Sequence, residues 1–181
     1  MNIFYTSPWA STCASDLPDK LLVKMVLETA QLLCTAHRCL DAEVPGISFE
    51  DFYKSTHQRH PSAIWVMSGD QQYHWTYRLL TFLCQEYELR YGRVHKVESS
   101  KLLALLADPP ILIPFSTPWT EPPACMPSEY QKATTTDSYQ HYLALGKAYI
   151  TGPESWARAP LGVPGWFEEI RDAEQAKALD L

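Results

Sequence analysis

Lys24 and Glu28 are the pair in this 181-residue chain best suited to proton transfer or amine chemistry. Four residues apart on a helix, they share one face. In bulk water such a pair is a surface salt bridge. Facing a cleft, Glu28 would serve as general acid or base, and Lys24 as an amine nucleophile or charge stabiliser. The segment Tyr53–Pro61 is the densest polar cluster. His60 can move protons near neutral pH and joins Lys24 and Glu28 as a candidate catalytic residue. Lys54, His57 and Arg59 suit phosphate or base contacts. On the bland reading, one of the two histidines caps the next helix and the other is exposed. They supply two ligands where zinc needs three or four, so no metal is expected there, and no motif calls for a cofactor. A second basic cluster closes with Arg90, Tyr91, His95 and Lys96. Cations at a helix C-terminus are stabilised by its dipole, which accounts for much of this cluster. As substrate contacts, Arg90, His95 and Lys96 would meet phosphate or base, and Trp65 or Tyr91 would stack on an extruded base. The chain has no phosphate-cradling glycine loop and no GxSxG, which leaves nucleotide hydrolysis and acyl transfer without a motif.

The elements that must position these groups are helical. From Asp16 to about Leu40, apolar residues such as Leu22, Met25, Val26 and Leu33 recur at helical spacing. Lys20, Lys24, Glu28, Gln31, Thr35 and Arg38 form a polar stripe on the same helix. Residues 41–64 read as an irregular connection. A second long helix, opened by Ser68 or Asp70 and stopped by Gly92, is apolar nearly all round and therefore central. Shorter helices are expected over Glu98–Ala107 and Asp137–Ile150, with an amphipathic one over Pro164–Leu181. Between Pro109 and Pro127 lie seven of the 14 prolines together with Ile111, Leu112, Ile113, Phe115 and Trp119. That composition excludes regular helix and predicts an extended strap over the core. The expectation is a mainly α fold: a single compact domain, residues 1–181, of about five helices with a long proline-rich strap.

Hydrophobic residues at 46% and charged ones at 20% exclude disorder for the bulk of the chain. No apolar run reaches the length of a membrane span, and the first residues lack the features of an export signal. The chain is therefore expected to be soluble and cytoplasmic. Five cysteines without a CxxC pair read as reduced thiols. The net charge of −6 speaks against a nucleic-acid partner for the whole surface. Mapped along the chain, however, residues 53–97 hold six basic and three acidic residues, while both flanks are acidic. Any contact with DNA or a nucleotide is expected through that segment.

Several separated segments resemble a family of small bacteriophage proteins: Met1–Phe4, Asp19–Leu33, Thr56–Val66, Glu86–Lys96, and Met126-Pro127 with Tyr130. That family is in turn distantly similar to the pyrimidine-dimer DNA glycosylases of the phage endonuclease V type. The shared pattern is Asp19 nine residues before Glu28 on the first long helix, a histidine near His60, a long helix ending in Arg90-Tyr91-Gly92, and aromatic residues towards the end of the chain. The resemblance implies a compact all-α enzyme that excises a base, with an amine forming a Schiff base on the sugar beside a helix-borne glutamate. Those glycosylases use the α-amine of a small residue exposed by methionine removal. Residue 2 here is Asn, which keeps its methionine, and Lys24 is then the expected amine.

The leading expectation is a phage enzyme acting on a pyrimidine base or its sugar, in DNA or as a nucleotide, by excision or by base modification. The alternative is a non-catalytic phage protein that binds a host protein or a signalling nucleotide, in an anti-defence role. The acidic flanks, the apolar strap and the six tryptophans suit such a recognition surface.

Overall fold

The structure, a computed structural model, describes residues 2–179. Among them the chain is mainly α, with eight α-helices and no strand. Two 22-residue helices form the centre, α2 (Asp19–Leu40) and α4 (Asp70–Tyr91), after a short α1 (Ala10–Ser15). α2 starts behind Pro18, whose fixed φ and missing N–H suit a helix start, and Asp19 adds negative charge in the first turn. Its Leu22, Met25, Val26, Leu32 and Leu33 are fully buried, each contributing about 1.5–3 kcal/mol relative to exposure. α4 buries residues on most of its circumference, including Tyr73, Leu80 and Leu83, as expected for a central helix. It stops at Gly92, whose φ of 64° is left-handed and favours glycine.

The connection between α2 and α4 is tied down by the far end of the polar stripe. Arg38 donates to the carbonyls of Phe49, Phe52 and Tyr53, and Thr35 exchanges hydrogen bonds with the backbone of Thr56. A short α3 (Pro61–Met67) follows, with proline in its first turn. The helix expected over Glu98–Ala107 is two single turns, α5 (Lys96–Ser99) and α6 (Leu102–Leu105), parted at Lys101 with φ 66°. Val97 and Leu102 are both buried although five residues separate them, a spacing one helix would turn to different sides.

Residues 109–127 form no regular element. This strap is fastened by hydrogen bonds from successive regions of the chain. The Asp41 carboxylate accepts from the Ile111 and Leu112 N–H groups, and Gln72 donates to the Pro118 carbonyl. Trp65 donates to the Thr120 carbonyl, and Tyr139 to that of Pro123. Ile113 and Met126 are buried beneath it.

The next helix, α7 (Thr135–His141), begins two residues before expectation because the Thr134 hydroxyl accepts from the Asp137 N–H at 3.0 Å. It then widens into a π-helical turn over Tyr142–Gly146. Gly146 is required here: a Cβ would lie 2.5 Å from the Tyr142 ring and 2.9 Å from that of Tyr130. α8 (Gly165–Leu179) buries Phe167 against Trp156 and Ala144 in a second, smaller apolar cluster. The expected last two residues of this helix lie outside the described ones.

Candidate active site

Lys20, Lys24 and Glu28 lie at successive turns of α2 and line one wall of a cleft of about 310 Å³. The Lys24 Nζ is 3.2 Å from Glu28 Oε1. The Glu28 side chain is 16% exposed and that of Lys24 64%, so the carboxylate is recessed and the ammonium reaches outward. Asn2 and Phe4 of the N-terminal segment form a second side of the cleft. Asn2 is anchored by its side-chain amide, which donates to the Cys125 carbonyl at 2.8 Å.

Lys147 and Tyr149 close the cleft opposite α2. The π-helical turn delivers Lys147, whose Nζ lies 4.9 Å from the Tyr142 ring centre and 5.6 Å from that of Tyr149. Burial favours its neutral form, but hydrogen bonding to the Tyr142 and Tyr149 hydroxyls outweighs this and holds the ammonium above the ordinary lysine value. Three lysines thus face one carboxylate, an excess of positive charge that suits an anionic ligand.

His60 caps α3: its Nδ1 accepts from the Ser62 N–H at 3.2 Å, leaving Nε2 to carry the proton. Burial and the neighbouring His57 lower its pKa against the pull of Glu28, and His60 does not itself line the cleft. His57 is exposed, has a left-handed φ of 49°, and its Nδ1 lies 2.6 Å from the Thr56 hydroxyl. Lys54 and Arg59 are exposed on the same loop.

The remaining sequence-predicted contacts lie elsewhere, and two are corrected. Arg90 is fully buried and donates to Glu86 (2.7 Å), Asp19 (3.0 Å) and the carbonyls of Leu17 and Ser15. It ties α4 to the start of α2 and presents nothing to a ligand. Trp65 is also buried, with its indole N–H given to Thr120 and its ring packed edge-on against Trp75 and Trp119, so it has no free face for a base. Tyr91 is half-buried, stacked on Tyr87 with the Arg158 guanidinium 5.2 Å from its ring centre, and donates to the Asp19 carbonyl. His95 caps α5 and sets its ring against Tyr87. Lys96 is exposed. None of these residues lines the cleft.

The sequence reading left out Asn2, Lys147 and Tyr149 as site residues. Lys20 was legible as a member of the polar stripe. Among the described residues no group of three or more His, Cys, Asp or Glu side chains is placed to hold a metal ion, and no helix is long and apolar enough to cross a membrane.

Residues 1–99 match the family described as pyrimidine dimer DNA glycosylase. The chain belongs to that family. The match runs from the N-terminal segment through α5 and carries Asn2, Lys20, Lys24 and Glu28, the α2 wall and the N-terminal side of the cleft. Lys147 and Tyr149 lie beyond the glycosylase match and complete the cleft from a part of the chain that it does not cover. No curated protein and no solved structure matches the chain.

Proposed function

We propose that the cleft excises a damaged pyrimidine from DNA through an amine–sugar intermediate, with Lys24 as the amine and Glu28 as the acid–base residue. The observation that carries this reading is the recessed Glu28 carboxylate, 3.2 Å from an amine inside a lysine-lined cleft, in a chain of the pyrimidine dimer DNA glycosylase family. Glu28 first accepts a proton from the Lys24 ammonium. The freed Nζ lone pair attacks C1′ of the deoxyribose, the C1′–N bond breaks, and the base leaves with its electron pair and takes the proton held by Glu28, which returns to its carboxylate form. One Nζ–H proton passes to O4′ as the C1′–O4′ bond breaks, which opens the sugar ring and forms the C1′=Nζ iminium. The Glu28 carboxylate then removes a C2′ proton so that the 3′ phosphate departs. Water hydrolyses the imine and restores the amine. His60, with its proton on Nε2, is suited to donate to a pyrimidine carbonyl. The exposed Lys54, His57, Arg59 and Lys96 of the basic segment are suited to flanking phosphates.

Borohydride trapping on duplex DNA containing an abasic site or a pyrimidine dimer tests this reading. The wild type should form a covalent adduct, Lys24→Ala should lose it, and Glu28→Gln should fold normally and form it at least ~100-fold more slowly. An adduct undiminished in Lys24→Ala would remove Lys24 from the mechanism, and no adduct with the wild type would remove the amine mechanism altogether.

A second reading, binding of a host protein without catalysis, draws on the strap, where Ile111, Leu112 and Phe115 stand exposed. It predicts that Phe115→Ser abolishes the biological effect while Glu28→Gln leaves it intact.

A further inference from the structure

A second depression, of about 580 Å³, lies apart from the cleft and carries different chemistry. Consecutive residues of the N-terminal segment divide the two: Phe4 lines the cleft and Tyr5 lines this pocket. Its walls are aromatic. Trp75 packs at 5.4 Å on Tyr5 and 6.0 Å on Trp119, ring centre to ring centre, and Tyr77 also lines it. The Trp75 indole N–H is spent on the Pro8 carbonyl, so that ring has only its apolar surface to offer. Trp119 is the most open of these tryptophans, at 38% exposed, and it comes from the strap. Its backbone is held on both sides, by Gln72 at the Pro118 carbonyl and by Trp65 at the Thr120 carbonyl.

The polar members of the pocket stand together. His74 and Arg78 are one turn apart on α4, with Gln71 a turn before them. Arg78 makes no ion pair among the described residues, and its Nε reaches only the His74 carbonyl, at a long 3.4 Å. No carboxylate lines the pocket; Glu121 faces the Tyr5 hydroxyl, whose pKa burial and that carboxylate push up to about 12. An unpaired guanidinium beside aromatic faces excludes a cationic guest and suits a phosphate joined to a planar base. A base in duplex DNA has its faces covered by its neighbours, so a stacking wall selects an unpaired one.

We infer that this pocket binds an unpaired nucleotide of a DNA strand, its base stacked on Trp119, its base edge met by Gln71 and its phosphate held by Arg78. The site is separate from the lysine cleft and supplies a second hold on DNA that needs none of the cleft residues.

Fluorescence anisotropy of a labelled (dT)8 strand tests it. Trp119→Ala should weaken binding about 10-fold, while Trp119→Phe, which keeps an aromatic face, should stay within about 3-fold of the wild type. Arg78→Ala should weaken binding and make the dependence of log K on log salt shallower by about 0.7, one phosphate contact on a single strand. Trp119→Ala should weaken binding by the same factor in a Lys24→Ala background as in the wild type, whether or not Lys24→Ala abolishes covalent trapping, so the pocket and the cleft mechanism stand or fall separately. Photocrosslinking of a strand carrying 5-iododeoxyuridine to the wild-type protein should mark the peptides of Trp75 or Trp119. Crosslinks confined to residues 20–28 and 147–150 of the cleft, or unchanged (dT)8 affinity in Trp119→Ala, overturn the inference. So does competition by free dTMP as strong, mole for mole, as that of the strand.

Discussion

Replacing Arg90 by methionine tests whether this residue serves the fold or a ligand. The substitution keeps an unbranched side chain and removes the charge. Its four hydrogen-bonded partners, Asp19, Glu86 and the carbonyls of Ser15 and Leu17, remain behind. Both carboxylates are at most 14% exposed, so water cannot fully replace the guanidinium. Breaking a buried ion pair by removing one partner costs about 3–5 kcal/mol. For a protein of this size, that lowers the melting temperature by roughly 6–20 °C. The loss should appear as a shifted urea midpoint with an unchanged slope, and the protein still folded should bind DNA as the wild type does. Arg90→Lys should recover only part of the loss, because one ammonium cannot span donors that the guanidinium fork reaches together. A loss below about 1 kcal/mol, typical of an exposed pair, would refute the buried network. So would a DNA affinity that fell while stability held.

Two further outcomes concern Gly69 and His37. A Cβ at Gly69 would stand 1.6 Å from the Thr117 hydroxyl and 2.8 Å from Thr117 Cβ, on a backbone that is simply extended. Gly69→Ala should therefore lift the strap and cost about 1–3 kcal/mol, and Thr117→Gly in the same protein should restore most of it; a Gly69→Ala protein as stable as the wild type in urea would contradict this contact. His37 is buried, and its Nε2 lies 2.8 Å from the Tyr73 hydroxyl, which donates onward to the Leu106 carbonyl. The tyrosine oxygen therefore accepts from an Nε2–H. Asp41 lies 3.6 Å from the other ring nitrogen, but its oxygens already accept from Ile111 and Leu112, and burial keeps the imidazole below its ordinary pKa against the pull of Asp41. Neutral His37 is thus favoured in the fold, and acid favours the unfolded chain, which takes up the proton more readily. Below about pH 6.5, stability should fall by up to about 1.4 kcal/mol per pH unit for this residue, and His37→Gln should flatten that slope in urea titrations between pH 7 and pH 5. A slope identical in the variant would show that His37 does not cause it.

What could be read in the sequence was whatever depends on neighbours along the chain. The apolar spacing of α2 and the near-complete apolarity of α4 correctly marked the two central helices, and Gly92 marked where the second one stops. Lys24 and Glu28 share a wall because four residues make about one turn. Short elements escaped: α1 has no side-chain cap, and the break at Lys101 follows from burying Val97 and Leu102 together. Arg90 was misjudged for a related reason. A cation near a helix C-terminus has the same sequence whether it faces solvent or the partners 71–75 residues earlier that enclose it. Lys147 had no local signal, since its place in the cleft depends on a π turn and on two tyrosines.

The division of the cleft between two parts of the chain separates two properties of one site. The wall that carries Lys24 and Glu28 belongs to a helix held in the core by its apolar face, so the two positions stay fixed as long as that helix does. The facing wall hangs from a single widened turn whose geometry depends on Gly146. Substitutions there reshape the cleft and leave Lys24 and Glu28 in place. If the cleft acts as proposed, its selectivity is set from residues 142–150 and its reaction from α2.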